Sequence, residues 1–290
     1  WYATQWSLRM IDVIDHYDPD FVYTDGTSHQ PFSGFATGSG YKSDAMQRVI
    51  GHFYNRSRER REKLDVFSIV KFRPPTNGTV NTEEHGIPAE IKTDQAWIAE
   101  APIGDWFYSP GFTYDAGMMI RYLIEAVARD GNAALAISLQ PDGSLDDGSA
   151  QMLREMGEWM RVNGDAIYGS RAWAIPGEGQ LVDGKLRMLP GGKLGQKHAQ
   201  FAFGPQDYRF VVGRDGALYA FTLAVPAPGA TVKINSLGAD AKLLHSRITA
   251  VSLLGYSSTL RWEQKASSLE ITYPTDMAAN TAVVFRVASA

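Results

Sequence analysis

The first 165 residues alternate between segments with a helical spacing of apolar residues and short apolar runs. A helix is predicted near residues 4–17 and leads to a strand over Phe21–Asp25. A second helix near 43–62 leads in the same way to the apolar run Val66–Val70. This alternation is typical of repeated βα units and a parallel sheet.

Two further units follow a long irregular loop. A strand is predicted near Trp97–Glu100 and a helix over 114–129, with Gly131 as its C′ residue. A last strand, Ala133–Ser138, precedes a helix that an aspartate at 146–147 should cap. The pattern therefore predicts about four βα units.

From about Tyr208 the pattern changes to short alternating runs separated by Gly, Pro and Asp turns, which predicts an all-β sandwich. The preceding stretch from Ala174 to Gln200 is rich in Gly and Pro and is typical of a surface connector. We predict an α/β partial (β/α)8-type barrel at 1–173, a connector at 174–204 and a β-sandwich at 205–290.

Four βα units form only half of a closed barrel, which needs eight units and about 250 residues. An open half barrel leaves two unpaired parallel edges, and exposed edges recruit partners. Either the other half of the barrel is absent from this chain, or another copy covers the edges. We therefore expect a homo-oligomer that forms through the open side of the half barrel.

Composition narrows the classes of function. The 290 residues carry a formal net charge of −4 and no long basic block, so the chain lacks the positive surface that nucleic acids and anionic membranes attract. No apolar run approaches the roughly 20 residues that cross a bilayer. The absence of cysteine excludes disulfides, thiolate metal sites and cysteine nucleophiles. The charged run Arg56–Lys63 mixes both signs and predicts a solvated helix face.

Asp25 is the first candidate for chemistry. It stands at the carboxyl end of the predicted strand Phe21–Asp25, and Gly26 lets the chain turn sharply after it. Barrel enzymes carry their catalytic groups at that end of the strands. The alternative is that Asp25 and Gly26 form an ordinary turn or a helix cap.

The long loop after Val70 carries the acids Glu83, Glu84 and Glu90, and Glu100 and Asp105 follow further on. Hydrolysis of a glycosidic bond requires two carboxyl groups, one that stays ionised and one that protonates the leaving oxygen. The loop could supply the second group, although a single acid in a loop is more often merely solvated.

Aromatic residues follow the same loop. Trp106 and Tyr108 come after the pair Gly104-Asp105 and are candidates for stacking against sugar rings, whereas Trp97, inside a predicted strand, fits core packing equally well. Lys71, at the end of its strand, is a candidate for a hydrogen bond to a sugar hydroxyl or to the nucleophile. A solvated lysine is the alternative.

Several motifs in a fixed order resemble glycoside hydrolase family 29, the α-L-fucosidases. The first stretches run from Tyr2…Gln5 through Tyr17-Asp18-Pro19-Asp20 to Val22-Tyr23-Thr24-Asp25-Gly26 and resemble the segment that ends in the family's nucleophilic aspartate. Later stretches are similar to its glycine-asparagine strand, its final barrel helix and its C-terminal sandwich: Asp130–Ile137, Pro141–Gly143, Leu153–Met160, Ala166–Arg171 and Ser246–Leu254.

This resemblance implies a retaining glycosidase without a metal or organic cofactor, acting on a fucosylated glycan or glycoside. It assigns Asp25 as the nucleophile, about 5–5.5 Å from a second carboxyl group that acts as acid and base. In similar members that group belongs to a Glu-Arg-Gly segment, to which Glu84-His85-Gly86 is the nearest match. Glu84 is therefore the first choice for the acid/base, with Glu83, Glu90 and Glu100 in reserve.

Three departures from the family pattern leave a rival open. Ile98 follows Trp97 where other members place the acid, and Tyr23-Thr24 replaces the usual Trp-Phe before the nucleophile. The early barrel strands whose histidines grip the fucose hydroxyls have no counterpart here. A sugar-binding or structural remnant of a fucosidase is the alternative function, since a shared fold does not guarantee activity.

Overall fold

The structure is a computed structural model that describes residues 2–24, 45–70, 78–84, 86–180 and 203–290. Its helices are α1 (Tyr2–Tyr17), α2 (Ala45–Arg61), α3 (Ala116–Val127) and α4 (Asp147–Asn163). The first strands are β1 (Phe21–Thr24), β2 (Phe67–Val70), β3 (Asn81–Glu84), β4 (Trp97–Pro102) and β5 (Asn132–Ala136). The later strands are β6 (Arg171–Glu178), β7 (Tyr208–Val212), β8 (Leu218–Thr222), β9 (Thr231–Ile234), β10 (Ile248–Leu253), β11 (Trp262–Gln264), β12 (Leu269–Thr272) and β13 (Val283–Ser289).

The chain forms two compact units. The first comprises Trp1–Thr82 with Asp94–Ile98, and the second comprises Glu83–Thr93 with Ala99–Ala290. In the first unit β1 and β2 pair in parallel, from Phe21 opposite Phe67 to Thr24 opposite Val70. Its core combines one face of each helix with the inward residues of the strands: Ile14, Val22, Val49, Phe53 and Val66.

The charged residues at the end of α2 form ion pairs as well as a solvated helix face. Asp15, near the end of α1, accepts hydrogen bonds from His52 Nε2 at 3.0 Å and Arg56 Nε at 2.9 Å. The His52 hydrogen bond is the main reason that the pKa of Asp15 lies below its usual value. The Arg56–Asp15 ion pair therefore joins α2 to α1, and Arg61 pairs with Asp20, in the turn between α1 and β1, at 2.8 Å.

β3 lies where the sequence predicts an irregular loop. It joins β4 and β5 in a three-stranded sheet of order β3-β4-β5. Its sequence, Asn-Thr-Glu-Glu, has no apolar residue and therefore no hydrophobic alternation to signal a strand. The strand is recognisable only from its backbone pairing, which begins where the Asn81 amide donates to the Ala96 carbonyl at 3.0 Å.

α3 begins at an aspartate cap and ends in a left-handed residue. The Asp115 carboxylate accepts a hydrogen bond from Met118 N at 2.8 Å. After the helix, Asp130 has φ +67°, so the left-handed position expected at Gly131 falls one residue earlier. Aspartate tolerates this conformation, and here its carboxylate also accepts a hydrogen bond from Ala172 N at 3.0 Å.

The C-terminal part is β-rich, as predicted. One sheet has the order β10-β13-β8-β7-β6 and the other β11-β12-β9. The inward residues of both sheets form one core, and its fully buried members include Phe210, Ile234, Leu269 and Phe285. This arrangement agrees with two layers of antiparallel strands packed face to face.

β6 extends this β-rich part into the range assigned to the connector. It pairs antiparallel with β7, and the register shifts between Ala172 and Gly177. A Cβ atom on Gly177 would lie 2.1 Å from the Tyr208 carbonyl oxygen, so the close approach of the two strands requires glycine there. Pro176 and Gly177, which suggested a connector, are features of a bulged edge strand.

We predict that Gly177→Ala destabilises the protein, because the added methyl group meets backbone that cannot move aside. Gly157→Ala, in α4, is the matched control: nothing lies within 4 Å of a Cβ there, and alanine favours a helix by up to about 1 kcal/mol. Thermal unfolding should show a lower midpoint only for Gly177→Ala. Equal midpoints would contradict the steric argument.

A second prediction concerns the start of α4, where Asp146 accepts hydrogen bonds from Ser149 N and Oγ, each at 2.9 Å. Asp146→Ala should cost about 1 kcal/mol of unfolding free energy, whereas Asp147→Ala, one residue on, should cost less. The Ser149 backbone bond holds the pKa of Asp146 below its usual 3.8. The difference between the wild type and Asp146→Ala should therefore be full above about pH 4 and shrink as the pH falls further. Urea titrations above and below about pH 4 measure this difference in unfolding free energy. A difference that does not change with pH would contradict the role of the Asp146 carboxylate as the cap.

Candidate active site

Two predicted site residues, Asp25 and Lys71, lie outside the described residues. The residues immediately before them, Thr24 and Val70, are the last register partners of the parallel β1–β2 pair. β1 and β2 therefore end side by side. This is the end of a parallel sheet at which barrel enzymes carry their catalytic groups.

Glu84 is the last residue of β3 and is half-buried. Successive side chains of a strand point to opposite faces, so Glu83 and Glu84 have different surroundings. The Glu83 carboxylate accepts a hydrogen bond from Lys92 Nζ at 2.6 Å. Glu83 is thus held in an ion pair with a residue nine positions further along the chain. His85, after Glu84, lies outside the described residues.

The other two reserve acids differ in burial. Glu100, in β4, has 6% of its surface exposed. Glu90, in the loop before β4, is exposed. A group that exchanges a proton with a substrate must come within hydrogen-bonding reach of it. The buried position of Glu100 is the least suited of these to that task.

Tyr122 of α3 is a buried tyrosine whose pKa is affected by three of these acids. Its side chain is fully buried, and its hydroxyl has no hydrogen-bond partner within the part of the chain that the structure describes. Burial raises the pKa of Tyr122 far above its usual value, and the charges of Glu100, Glu83 and Glu84 raise it further. Both effects favour the protonated form of the phenol. Sequence reasoning missed Tyr122, because a tyrosine in an apolar helix resembles any other core residue.

The aromatic candidates divide between core and surface. Trp97 is 1% exposed, so core packing accounts for it. Trp106 and Phe107 are 39% and 86% exposed in the turn after β4. This turn is held by Ser138, whose Oγ donates to the Asp105 carbonyl at 2.7 Å. Tyr108 lines a shallow cleft at the same turn, and the exposed rings beside it offer flat apolar faces to a ligand.

A larger cavity, of about 560 Å³, lies elsewhere in the second unit. It is bounded by α3, α4 and the segment before β13, and none of the predicted site residues lines it. Among the described residues no cluster of three or more histidines or carboxylates could hold a metal ion. Within the same residues no helix has the length and apolar character needed to span a bilayer.

Two family profiles match the chain in succession. The profile described as Alpha-L-fucosidase matches residues 1–165, and the profile described as Alpha-L-fucosidase C-terminal domain matches residues 206–288. Curated relatives include a tissue α-L-fucosidase of Rattus norvegicus, 23% identical over 188 residues, or 61% of this chain and 37% of that protein. A plasma α-L-fucosidase of Homo sapiens is 27% identical over 156 residues, or 53% of this chain and 27% of that protein.

Solved structures show the same relationship at the level of fold. A Thermotoga maritima α-fucosidase in complex with a mechanism-based inhibitor matches with a TM-score of 0.71 at 18% identity. The match covers 98% of this chain and 56% of the Thermotoga chain. The α-L-fucosidase isoenzyme 1 of Paenibacillus thiaminolyticus has a TM-score of 0.69 at 17% identity, covering 99% of this chain and 62% of its own. This chain is thus similar in fold to somewhat more than half of each solved protein. The first profile alone matches more than half of the residues of this chain, and the second profile follows it in order. The chain therefore belongs to the α-L-fucosidase family, glycoside hydrolase family 29.

Proposed function

We propose that the chain hydrolyses terminal α-L-fucosides with retention of configuration, using Asp25 as the nucleophile and Glu84 as the acid/base. The observation that carries the proposal is the succession of two fucosidase profiles over one chain. The curated relatives are named as α-L-fucosidases, which makes a fucosylated glycan or glycoside the substrate class that we propose. We also propose that β1–β5 and their helices form part of a (β/α)8-type barrel.

In the first step an Asp25 carboxylate oxygen attacks the anomeric carbon, the glycosidic C–O bond breaks, and Glu84 gives its proton to the leaving oxygen. The product is a fucosyl ester of Asp25. In the second step Glu84, now ionised, takes a proton from water, whose oxygen attacks the same carbon and releases the Asp25 carboxylate. No cofactor enters this scheme.

The choice of Glu84 among the glutamates rests on the resemblance of Glu84-His85-Gly86 to the family's Glu-Arg-Gly segment. The burial of Glu100, which is only 6% exposed, makes that residue the weaker candidate. Glu84 is half-buried at a strand end, where a side chain has both access and partial desolvation. The exposed Trp106, together with Tyr108, would supply stacking surface for the sugar or its aglycone. The homo-oligomer stays a prediction.

The nucleophile can be tested with a matched pair of variants. Asp25→Gly should abolish turnover of an aryl α-L-fucoside, because the attacking oxygen is gone, and azide should partly restore it by reacting in the vacated space. Asp20→Gly removes the exposed carboxylate at the other end of β1 and should keep most of the activity. Steady-state rates with and without azide are the measurement. Wild-type rates in Asp25→Gly would sink the assignment.

The acid/base is tested by leaving-group dependence. Glu84→Ala should lower kcat/KM about 10²- to 10⁴-fold on a fucosyl disaccharide, since general-acid assistance is worth that much, and far less on a dinitrophenyl fucoside, whose leaving group needs no proton. Glu90→Ala removes an exposed carboxylate from the same loop and should affect the two substrates alike. A selective loss in Glu83→Ala, Glu90→Ala or Glu100→Ala instead would reassign the role.

A further inference from the structure

Glu125 of α3, Arg129 just after it and Arg209 of β7 form a buried charged triad. All three side chains have no exposed surface. Arg209 Nε donates to Glu125 Oε1 at 2.8 Å, and Arg129 Nη1 donates to Glu125 Oε2. One carboxylate thus lies between two guanidinium groups, and the α3 region is tied to the C-terminal sheet.

Two cations and one anion leave an excess positive charge away from water, so the remaining N–H groups need acceptors. Arg209 donates to the carbonyls of Tyr208 and Gln180, each at 2.7 Å. Arg129 donates to the Glu125 carbonyl at 3.2 Å and to the Ala89 carbonyl at 3.3 Å. Ala89 belongs to the segment Glu83–Thr93, the one that carries Glu84.

The same segment is held at a second point. Lys92 N donates to the Arg129 carbonyl at 3.2 Å, and Lys92 Nζ reaches back to Glu83 at 2.6 Å. Contacts therefore run from Arg209 through Glu125 and Arg129 to Ala89 and Lys92, and end at Glu83, the residue beside Glu84. Between Glu84 and Ala89 the segment also buries Ile87, which is 1% exposed.

We propose that Arg129 is a positioning residue for the Glu84 segment, and that Arg209 of the C-terminal domain supports it through the shared Glu125. This rests on the proposed function for its catalytic consequence. The C-terminal domain is then part of the catalytic apparatus without contacting substrate, because it fixes the arginine that holds the acid/base segment.

Arg129→Met is the decisive variant, because it leaves Glu125 and Arg209 as a neutral pair that keeps the core. Arg129→Lys keeps the charge with a single donor group. The matched control is Arg286→Met, which removes a sandwich arginine paired with Asp215 at 2.7 Å and remote from the Glu84 segment. Near-UV circular dichroism checks that each variant is folded.

Two readouts separate positioning from general stability. Hydrogen–deuterium exchange of the peptide containing residues 86–93 should be faster in Arg129→Met and unchanged in Arg286→Met. For a fucosyl disaccharide, kcat should fall about 10- to 100-fold in Arg129→Met with KM little changed, because a small misplacement of a catalytic group costs that much. The dinitrophenyl fucoside should be affected far less, and Arg129→Lys should recover part of the loss.

Unchanged exchange over residues 86–93 in Arg129→Met would overturn the proposal, as would faster exchange with equal losses on both substrates. A wild-type chain that hydrolyses neither fucoside would instead overturn the proposed function. In that case faster exchange in Arg129→Met alone would still support the restraint of the segment, so the two failures are distinguishable.

Discussion

The second unit depends on how it accommodates two guanidinium groups and a carboxylate without water. Burying charge is expensive, and it is tolerated only where every donor finds an acceptor. Arg129 and Arg209 find theirs on α3, on the segment before β4, at Gln180 and on β7. Each of those backbone segments must therefore adopt one position. A core of leucines would have filled the same space with far less directional demand.

The glycine at 177 belongs to the same constraint. It is the register partner of Arg209 in the β6–β7 pair, and a Cβ atom there would lie 2.8 Å from Arg209 Cδ. The missing side chain leaves room for the arginine to pass toward Glu125. A bulged edge strand, a buried arginine and a helix end are thus parts of one arrangement, although 32 positions of sequence separate Gly177 from its partner.

The spacing of hydrophobic residues predicted the helices and strands that have one clearly apolar face. α1, α2, α3 and their strands appear within a few residues of the expected bounds, because burial of an apolar face decides them. β3 and β6 were not predicted, since Asn-Thr-Glu-Glu carries no apolar signal and Pro176-Gly177 carries a misleading one. In both cases backbone pairing with a distant segment outweighs local preference.

Some residues of the candidate site could be predicted from sequence, and others could not. Asp25 and Glu84 could be proposed from sequence because a motif resemblance carries their roles. Tyr122 and the triad could not be proposed from sequence, because their contacts join residues near 85, 125 and 209, which are far apart along the chain. Single-residue chemistry gave no signal either: a tyrosine or glutamate on an apolar helix has nothing in its neighbours to mark it.

β13 follows every other described strand along the sequence, yet it lies inside its sheet, between β8 and β10. Its Val283, Phe285 and Val287 complete the core of the sandwich, and the carbonyl of Ala282 just before it accepts the Trp159 indole N–H at 2.8 Å. During synthesis, strands made much earlier must therefore wait with open edges and uncovered apolar faces until this strand arrives. The sandwich can close only once β13 has been made, so wrong pairing is most favoured in the interval between the synthesis of β10 and that of β13.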